Sequence, residues 1–184
     1  MKKYIVTALV LTLIAGVCAA LIASINLLTA PMIEKNNAEK KAALCQEIFE
    51  AFDLDKSIVL EKDQYASAYI QEVIEVNDAY DTPLGYLFTL SGSNAYGKIE
   101  LLVGIDLEIR LAGVRFITNG QSFSNETATH LNTQYKDDMT IEDILAIDLT
   151  NSDVTAGATY ASKLIRELVT TAFDVALDLE GGSK

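Results

Sequence analysis

The chain has 184 residues, with 26 acidic residues against 14 Lys and Arg, and its formal net charge at pH 7 is −12. This length supports one globular domain with a substantial core plus an additional segment. Surfaces that bind nucleic acid need clustered Lys and Arg, so the charge excludes nucleic acid as an expected partner.

An uncharged apolar run follows the N-terminal lysines. From Tyr4 to Ile33 the chain has no charged residue and consists mainly of Leu, Ile, Val and Ala. About 20 apolar residues cross a bilayer, so the run predicts a single membrane-spanning helix. Lys2 and Lys3 predict a cytoplasmic N-terminus in the cell membrane, which leaves the C-terminal domain extracytoplasmic. The run continues well past Cys18-Ala19-Ala20, which favours a retained anchor over a cleaved signal peptide.

A connector is expected between the anchor and the domain. Pro31 is expected to break or redirect the helix where it leaves the bilayer. From Glu34 to Asp53, apolar residues recur at steps of three and four, which predicts a helix. The predicted organisation is therefore an anchor at 1–33, a connector helix at 34–56 and a domain at 57–184. Cys45 is expected to be buried and to have no disulfide partner, because Cys18 lies within the membrane run.

Four stretches rich in β-branched and aromatic residues predict strands at 69–76, 84–92, 98–106 and 112–118. Turn residues separate them at 78–83, near Asn94 and at 107–110. Consecutive strands with short connections favour an antiparallel sheet over βαβ units, so the expected fold class is α+β.

Polar residues follow the last predicted strand, and a loop is expected at Ser124–Leu131. His130, the only histidine, is expected to be solvated there. One histidine with scattered carboxylates predicts no metal site. Asp137-Asp138 and Glu142-Asp143 are interpreted as solvated, and the second pair as the start of a helix before Ile144–Ile147.

The C-terminal part contains a long amphipathic pattern preceded by small residues. The Ala156-Gly157-Ala158 segment is expected to form a turn that presents the Thr159 hydroxyl where a helix begins. That helix is expected to end before Gly181-Gly182. Its unpaired N–H groups and dipole would favour a phosphate beside Thr159. A loop with a simple N-cap at Thr155 or Thr159 remains an alternative. The apolar positions are Ala161, Leu164, Ile165, Leu168, Val169, Ala172, Phe173 and Ala176.

The segment from Asp153 to Thr159 resembles the signature Asp-x-x-[Ser/Thr]-Gly-Ala-Thr of proteins that carry FMN through a phosphoester to the final threonine. The resemblance implies that Thr159 is the attachment residue and that Asp153 is read by a flavin transferase. Gly157 and Ala158 match the signature. Ala156 stands where Ser or Thr is usual, which removes a hydroxyl that could bond the phosphate or help the transferase.

Two further regions resemble the G subunit of the Rnf complex and the C subunit of the sodium-pumping NADH:quinone reductase. The first is the end of the anchor, Asn26–Ile33. The second is the glycine pattern of the shared FMN-binding domain, in which Glu126 and Thr127 match a flavin-site loop whose Pro-Gly-Leu-Gly is absent here. The resemblance implies that both residues belong to the cofactor-binding set with the 153–159 segment. The positions that match the glycine pattern of this domain are Gly85-Tyr86, Phe88, Ser91-Gly92, Tyr96-Gly97, Ile99, Val103–Asp106 and Gly113-Val114.

The resemblance implies an electron-transfer subunit of an Rnf-type ferredoxin:NAD oxidoreductase, with covalent FMN and coupling to ion translocation. It implies three partners: the other membrane subunits of the Rnf complex, a flavin transferase and membrane lipid. The isolated subunit is expected to catalyse little. Two alternatives stay open. One is a flavin-free, membrane-anchored structural or assembly subunit, which Ala156 and the absent glycine-rich loop favour. The other is a stand-alone extracytoplasmic FMN-binding reductase.

Overall fold

A computed structural model describes residues 2–61, 65, 67–149 and 156–182. The chain divides into two compact units, Met1–Lys41 and Ala42–Lys184. Helices and one antiparallel sheet make up the second unit, which confirms the expected α+β class. In chain order the elements are α1 (Lys2–Ile48), β1 (Ile58–Leu60), β2 (Ile70–Asn77), β3 (Pro83–Asn94), β4 (Gly97–Asp106), β5 (Leu111–Asn119), α2 (Ser124–Gln134), α3 (Ile141–Ala146) and α4 (Ala156–Gly182).

Most of α1 in the first unit is apolar. Ala8–Met32, 25 residues long, is the helical stretch that could cross a membrane. At 1.5 Å per residue it spans about 37 Å, more than the ~30 Å hydrocarbon core of a bilayer. The hydroxyls of Thr12, Ser24 and Thr29 each donate to the carbonyl oxygen four residues earlier, at 2.7–2.9 Å. Internal satisfaction of polar groups is what a lipid environment requires.

The prediction that Pro31 breaks the helix is wrong, because α1 continues through it to Ile48. Proline removes one intrahelical hydrogen bond, that to the Leu27 carbonyl, at a cost of about 3 kcal/mol. Strong helix formers such as Leu, Lys, Glu and Ala surround it on both sides and carry the helix past this defect. The expected connector is therefore the last part of α1, and the chain leaves the helix before Asp53.

The sheet is a meander in which five strands pair antiparallel in chain order. Strands β2 to β5 confirm the four predicted strands to within two residues at each end. The edge strand β1 was missed. It has three residues and pairs Ile58 with Glu75 and Leu60 with Val73, which is too short for a periodic signal.

One face of the sheet carries the main core. Helix α4 packs against β3 and β4 on this face, and α2 and α3 pack against α4. All eight apolar positions expected on α4 are buried, with exposed fractions of 6 % or less, which confirms the spacing argument. The strand residues that meet α4 include Phe88, Leu90, Leu101 and Val103.

The other face of the sheet carries a smaller core formed with the end of α1. Cys45, Ile48, Phe49 and Phe52 are buried there, as the connector pattern predicted. Alternate strand residues such as Leu87 and Leu102 point to this face. Gly104 makes the close contact possible, because a Cβ at this position would collide with the Ile48 side chain.

Candidate functional site

The predicted attachment segment lies inside α4. Ala156, Gly157, Ala158 and Thr159 form its first turn, so the expectation of a separate turn before the helix is wrong. Alanine is the strongest helix former, and a glycine in the first turn costs too little to delay the helix start. The helix also includes Gly181 and Gly182, beyond its expected end. Asp153 lies outside the described residues.

Thr159 lies in the first turn of α4, and its side chain is half-buried. Other helical threonines of this domain, Thr127, Thr129 and Thr170, each donate to the carbonyl oxygen four residues earlier. For Thr159 that position is Thr155, which lies outside the described residues. The N–H groups at the start of a helix have no intrahelical partner. A hydroxyl and unpaired donors therefore meet at the start of α4.

Three aromatic rings lie beside this turn, and we call Tyr96, Phe123 and Tyr160 the aromatic triad. The ring centres of Tyr96 and Tyr160 are 5.7 Å apart, and those of Tyr96 and Phe123 are 6.3 Å apart. Both separations lie in the range of favourable aromatic pairs. Tyr160 is 57 % exposed, and Lys163 Nζ lies 5.9 Å from its ring centre. The triad therefore presents a partly open aromatic surface with a cation at its side.

Hydrogen bonds fix the two loops that carry Tyr96 and Phe123. The Ser122 amide donates to the Tyr96 carbonyl oxygen at 3.0 Å, and Gln121 Nε2 donates to the Gly97 carbonyl oxygen at 2.6 Å. Gly97 has φ of 141° and lies so close to Gly120 that a Cβ would collide with the Gly120 carbonyl oxygen. The β3–β4 turn and the segment before α2 are thus held together.

Two amide groups next to this junction are buried without a partner. Among the described residues, neither Asn94 Nδ2 nor Gln121 Oε1 has a hydrogen-bond partner. Asn94 and Gln121 flank the Tyr96 turn, since the Tyr96 amide donates to Asn94 Oδ1 at 2.8 Å. Buried polar atoms are usually paired, so one donor and one acceptor here remain to be satisfied by a ligand or by water.

Glu126 and Thr127 lie in α2, so the expected loop at Ser124–Leu131 is wrong. Thr127 is fully buried, and its hydroxyl donates to the Phe123 carbonyl oxygen at 2.7 Å. It therefore anchors the residue that contributes one ring of the triad. Glu126 is exposed. The structure thus connects Thr127 to the triad through Phe123 and leaves Glu126 on the surface of α2.

The expectation of a solvated His130 is also wrong. Its side chain is only 6 % exposed, and its Nε2 is without a partner in the described part of the chain. The ring meets that of Tyr135 edge-on, with centres 6.1 Å apart. Burial lowers the pKa of His130 and raises that of Tyr135, the latter opposed by the charge of Arg166. Because α2 is a helix, His130 faces the protein interior. The many polar residues of this segment did not indicate a helix in the sequence.

The other side chains singled out in the sequence have structural roles. Thr140 and Asp143 form a capping box at the start of α3, and hydrogen bonds from Thr140 lower the pKa of the Asp143 carboxyl. Cys45 is buried as expected, and neither Cys45 nor Cys18 is in a disulfide. Within the described ranges, no group of three His, Cys, Asp or Glu side chains could hold a metal ion.

The N-terminal part of the chain matches a known family. Residues 1–48, which include the whole of α1, match the family model described as the RnfG N-terminal region. This match supports the predicted identification and covers 48 of the 184 residues. No curated protein matches the chain.

Proposed function

We propose that this chain, whose residues 1–48 match the RnfG N-terminal region, is the RnfG subunit of an Rnf complex and relays electrons through FMN bound covalently to Thr159. The observation that carries the proposal is the position of Thr159. It lies in the first turn of α4, its side chain is only half-buried, and the residue that follows it, Tyr160, belongs to the aromatic triad. Those are the features that a phosphoester-linked, planar aromatic cofactor requires.

The first turn of α4 suits the phosphate of FMN. The N–H groups at the very start of a helix, here including those of Gly157 and Ala158, have no intrahelical acceptor, and the helix dipole adds positive potential at this end. Lys163 lies four residues after Thr159 and therefore on the same side of the helix. In a chain with a net charge of −12, this local positive potential favours an anion at the start of α4.

Bound at this position, FMN would supply the redox chemistry, while the protein supplies attachment, orientation and electrostatics. The chain's own residues have three tasks. Thr159 provides the ester oxygen, the first turn of α4 binds the phosphate, and the aromatic triad offers an apolar surface at its side. A covalent link keeps the cofactor in place whatever its non-covalent affinity.

The membrane arrangement forms part of the proposal. The Ala8–Met32 stretch is the anchor, with a cytoplasmic N-terminus and an extracytoplasmic domain, as the positive-inside rule predicts. The other Rnf subunits would then donate and accept the electrons, with ferredoxin and NAD at the ends of the chain of carriers and ion translocation coupled to it. A flavin transferase would attach the FMN on the extracytoplasmic side.

One observation favours a second candidate, a flavin-free structural subunit of the same complex. Ala156 replaces the hydroxyl residue of the flavinylation signature, and α2 occupies the place of the glycine-rich loop. Both departures leave Thr159 and the first turn of α4 intact, so we place the FMN relay first.

The assembled complex tests the relay. Membranes that contain the complete complex should reduce NAD with reduced ferredoxin. Thr159→Ala should abolish this activity while leaving the subunit present in the complex. Thr170→Ala is the matched control, because that hydroxyl is already bonded to the Arg166 carbonyl oxygen at 3.0 Å. Wild-type activity with Thr159→Ala would exclude the relay and leave the structural candidate.

A further inference from the structure

The aromatic triad is a built surface rather than an accidental meeting of side chains. Its rings come from three separate parts of the chain: the β3–β4 turn, the residue before α2 and the first turns of α4. Gln121 donates to the Gly97 carbonyl oxygen and Ser122 to the Tyr96 carbonyl oxygen, at 2.6–3.2 Å. The Thr127 hydroxyl donates to the Phe123 carbonyl oxygen. These bonds hold Tyr96 and Phe123 in place before any ligand arrives, which reduces the entropic cost of binding.

The three rings of the triad are also only partly buried. Tyr160 stays 57 % exposed and Tyr96 and Phe123 are only half-buried, although the neighbouring Leu164 and Ile165 on α4 are almost fully buried. Beside the rings, Gln121 is 5 % exposed and its Oε1 has no partner in the described ranges. A planar ligand with polar edges would cover the open rings and has hydrogen-bonding groups for such an amide.

Resting on the proposed attachment at Thr159, we propose that Tyr96, Phe123 and Tyr160 form the surface on which the isoalloxazine ring of the tethered FMN stacks. Tyr160 directly follows Thr159 in the chain, and the ring centres of Tyr160 and Tyr96 are 5.7 Å apart. The triad is therefore an aromatic surface that begins at the residue next to the proposed attachment point. Tyr96 and Tyr160 then control the environment of the flavin, and Phe123 supports Tyr96.

Flavin fluorescence provides the test, because an electron-rich tyrosine ring in contact with an excited flavin quenches its emission by electron transfer. Phenylalanine is a much poorer donor but keeps the ring. The full-length protein is expressed with its flavin transferase as wild type, Tyr96→Phe, Tyr160→Phe and the double variant. Tyr80→Phe is the matched control, since Tyr80 is 88 % exposed in the β2–β3 turn, at the opposite end of β3 from Tyr96.

Intact mass first establishes the FMN content of each variant, and fluorescence is then compared at equal FMN. We expect a several-fold increase in emission and a changed visible circular dichroism for the double variant, smaller increases for the single variants, and no change for Tyr80→Phe. Unchanged emission and dichroism in the double variant would overturn the stacking surface alone. A wild type without FMN would overturn the attachment as well, and the mass distinguishes this result from the first.

Discussion

The body of α4 and its first turn share one helix but differ in what their side chains do. From Ala161 to Ala176 the apolar side chains are buried against the sheet, and Tyr86 of β3 and Tyr69, just before β2, add hydrogen bonds to Glu180 and Glu167. The first turn, by contrast, has small residues and the half-buried Thr159, and the exposed Tyr160 follows it. The body stabilises the fold, and we propose that the first turn binds the ligand.

The largest effect expected from this difference is on stability. Phe173 is fully buried in the body of α4, so Phe173→Ala should lower the free energy of unfolding by about 3–5 kcal/mol. Thr159→Ala in the first turn should change it by less than about 0.5 kcal/mol. Urea unfolding in detergent, followed by circular dichroism, measures both. Equal losses for the two variants would mean that the first turn is part of the core.

A smaller effect should come from Tyr86, whose hydroxyl donates to Glu180 Oε1 at 3.0 Å. Burial and the Glu180 carboxylate raise the pKa of Tyr86 to about 12. Tyr86→Phe should lower the free energy of unfolding by about 0.5–1.5 kcal/mol, because the carboxylate loses a partly buried donor. Tyr69→Phe is the matched control, since its bond to Glu167 is exposed and should matter less. A greater loss for Tyr69→Phe would contradict this order.

His130 should make the body of α4 sensitive to acid, because α2 packs it against that side of the core. Burial lowers its pKa below the ordinary value of about 6.5, so the unfolded chain takes up a proton at a higher pH than the folded protein does. The stability present above about pH 6.5 is therefore lost as pH falls towards the folded pKa, by at most ~1.4 kcal/mol per pH unit. With His130→Gln, the free energy of unfolding should change less between pH 7.5 and pH 5.5. Identical slopes in the two proteins would show that His130 takes up its proton without cost.

The smallest expected effect concerns Ala156 in the first turn. Ala156→Ser restores the hydroxyl of the signature, and a new hydrogen bond to the phosphate or the transferase contributes roughly 1 kcal/mol. We therefore expect the initial rate of FMN incorporation to rise roughly fivefold with no change in stability. A time course of flavin fluorescence in denaturing gels measures this rate. No increase would show that the serine hydroxyl has no part in attachment.

The difference between the body of α4 and its first turn also explains which features could be predicted from the sequence. Packing against a sheet imposes a repeat of three and four residues, so the buried face of α4 followed from spacing alone. The four long strands followed from composition and turns. Helix α2 has few apolar residues, and its helical state depends on contacts of Thr127, His130 and Leu131 with the core. Local patterns therefore indicated a loop there.

The candidate site was predicted only in part. The signature pointed to Thr159, and the glycine pattern included Tyr96, but nothing local connected either residue with Phe123 or Tyr160. Tyr96 and Phe123 come together because the 120–122 segment donates hydrogen bonds to the carbonyl oxygens of Tyr96, Gly97 and Lys98. Tyr160 then meets Tyr96 from α4, a contact across more than sixty residues that local sequence patterns do not indicate.

The central claim is that Thr159 carries FMN, and intact mass tests it most directly. Full-length protein expressed with the flavin transferase would be measured as wild type, Thr159→Ala and Thr155→Ala, the last a control for a nearby hydroxyl. The account predicts an increase of one FMN less one water in the wild type and in Thr155→Ala, and its absence in Thr159→Ala. An unmodified wild type, or an increase that persists in Thr159→Ala, would contradict it.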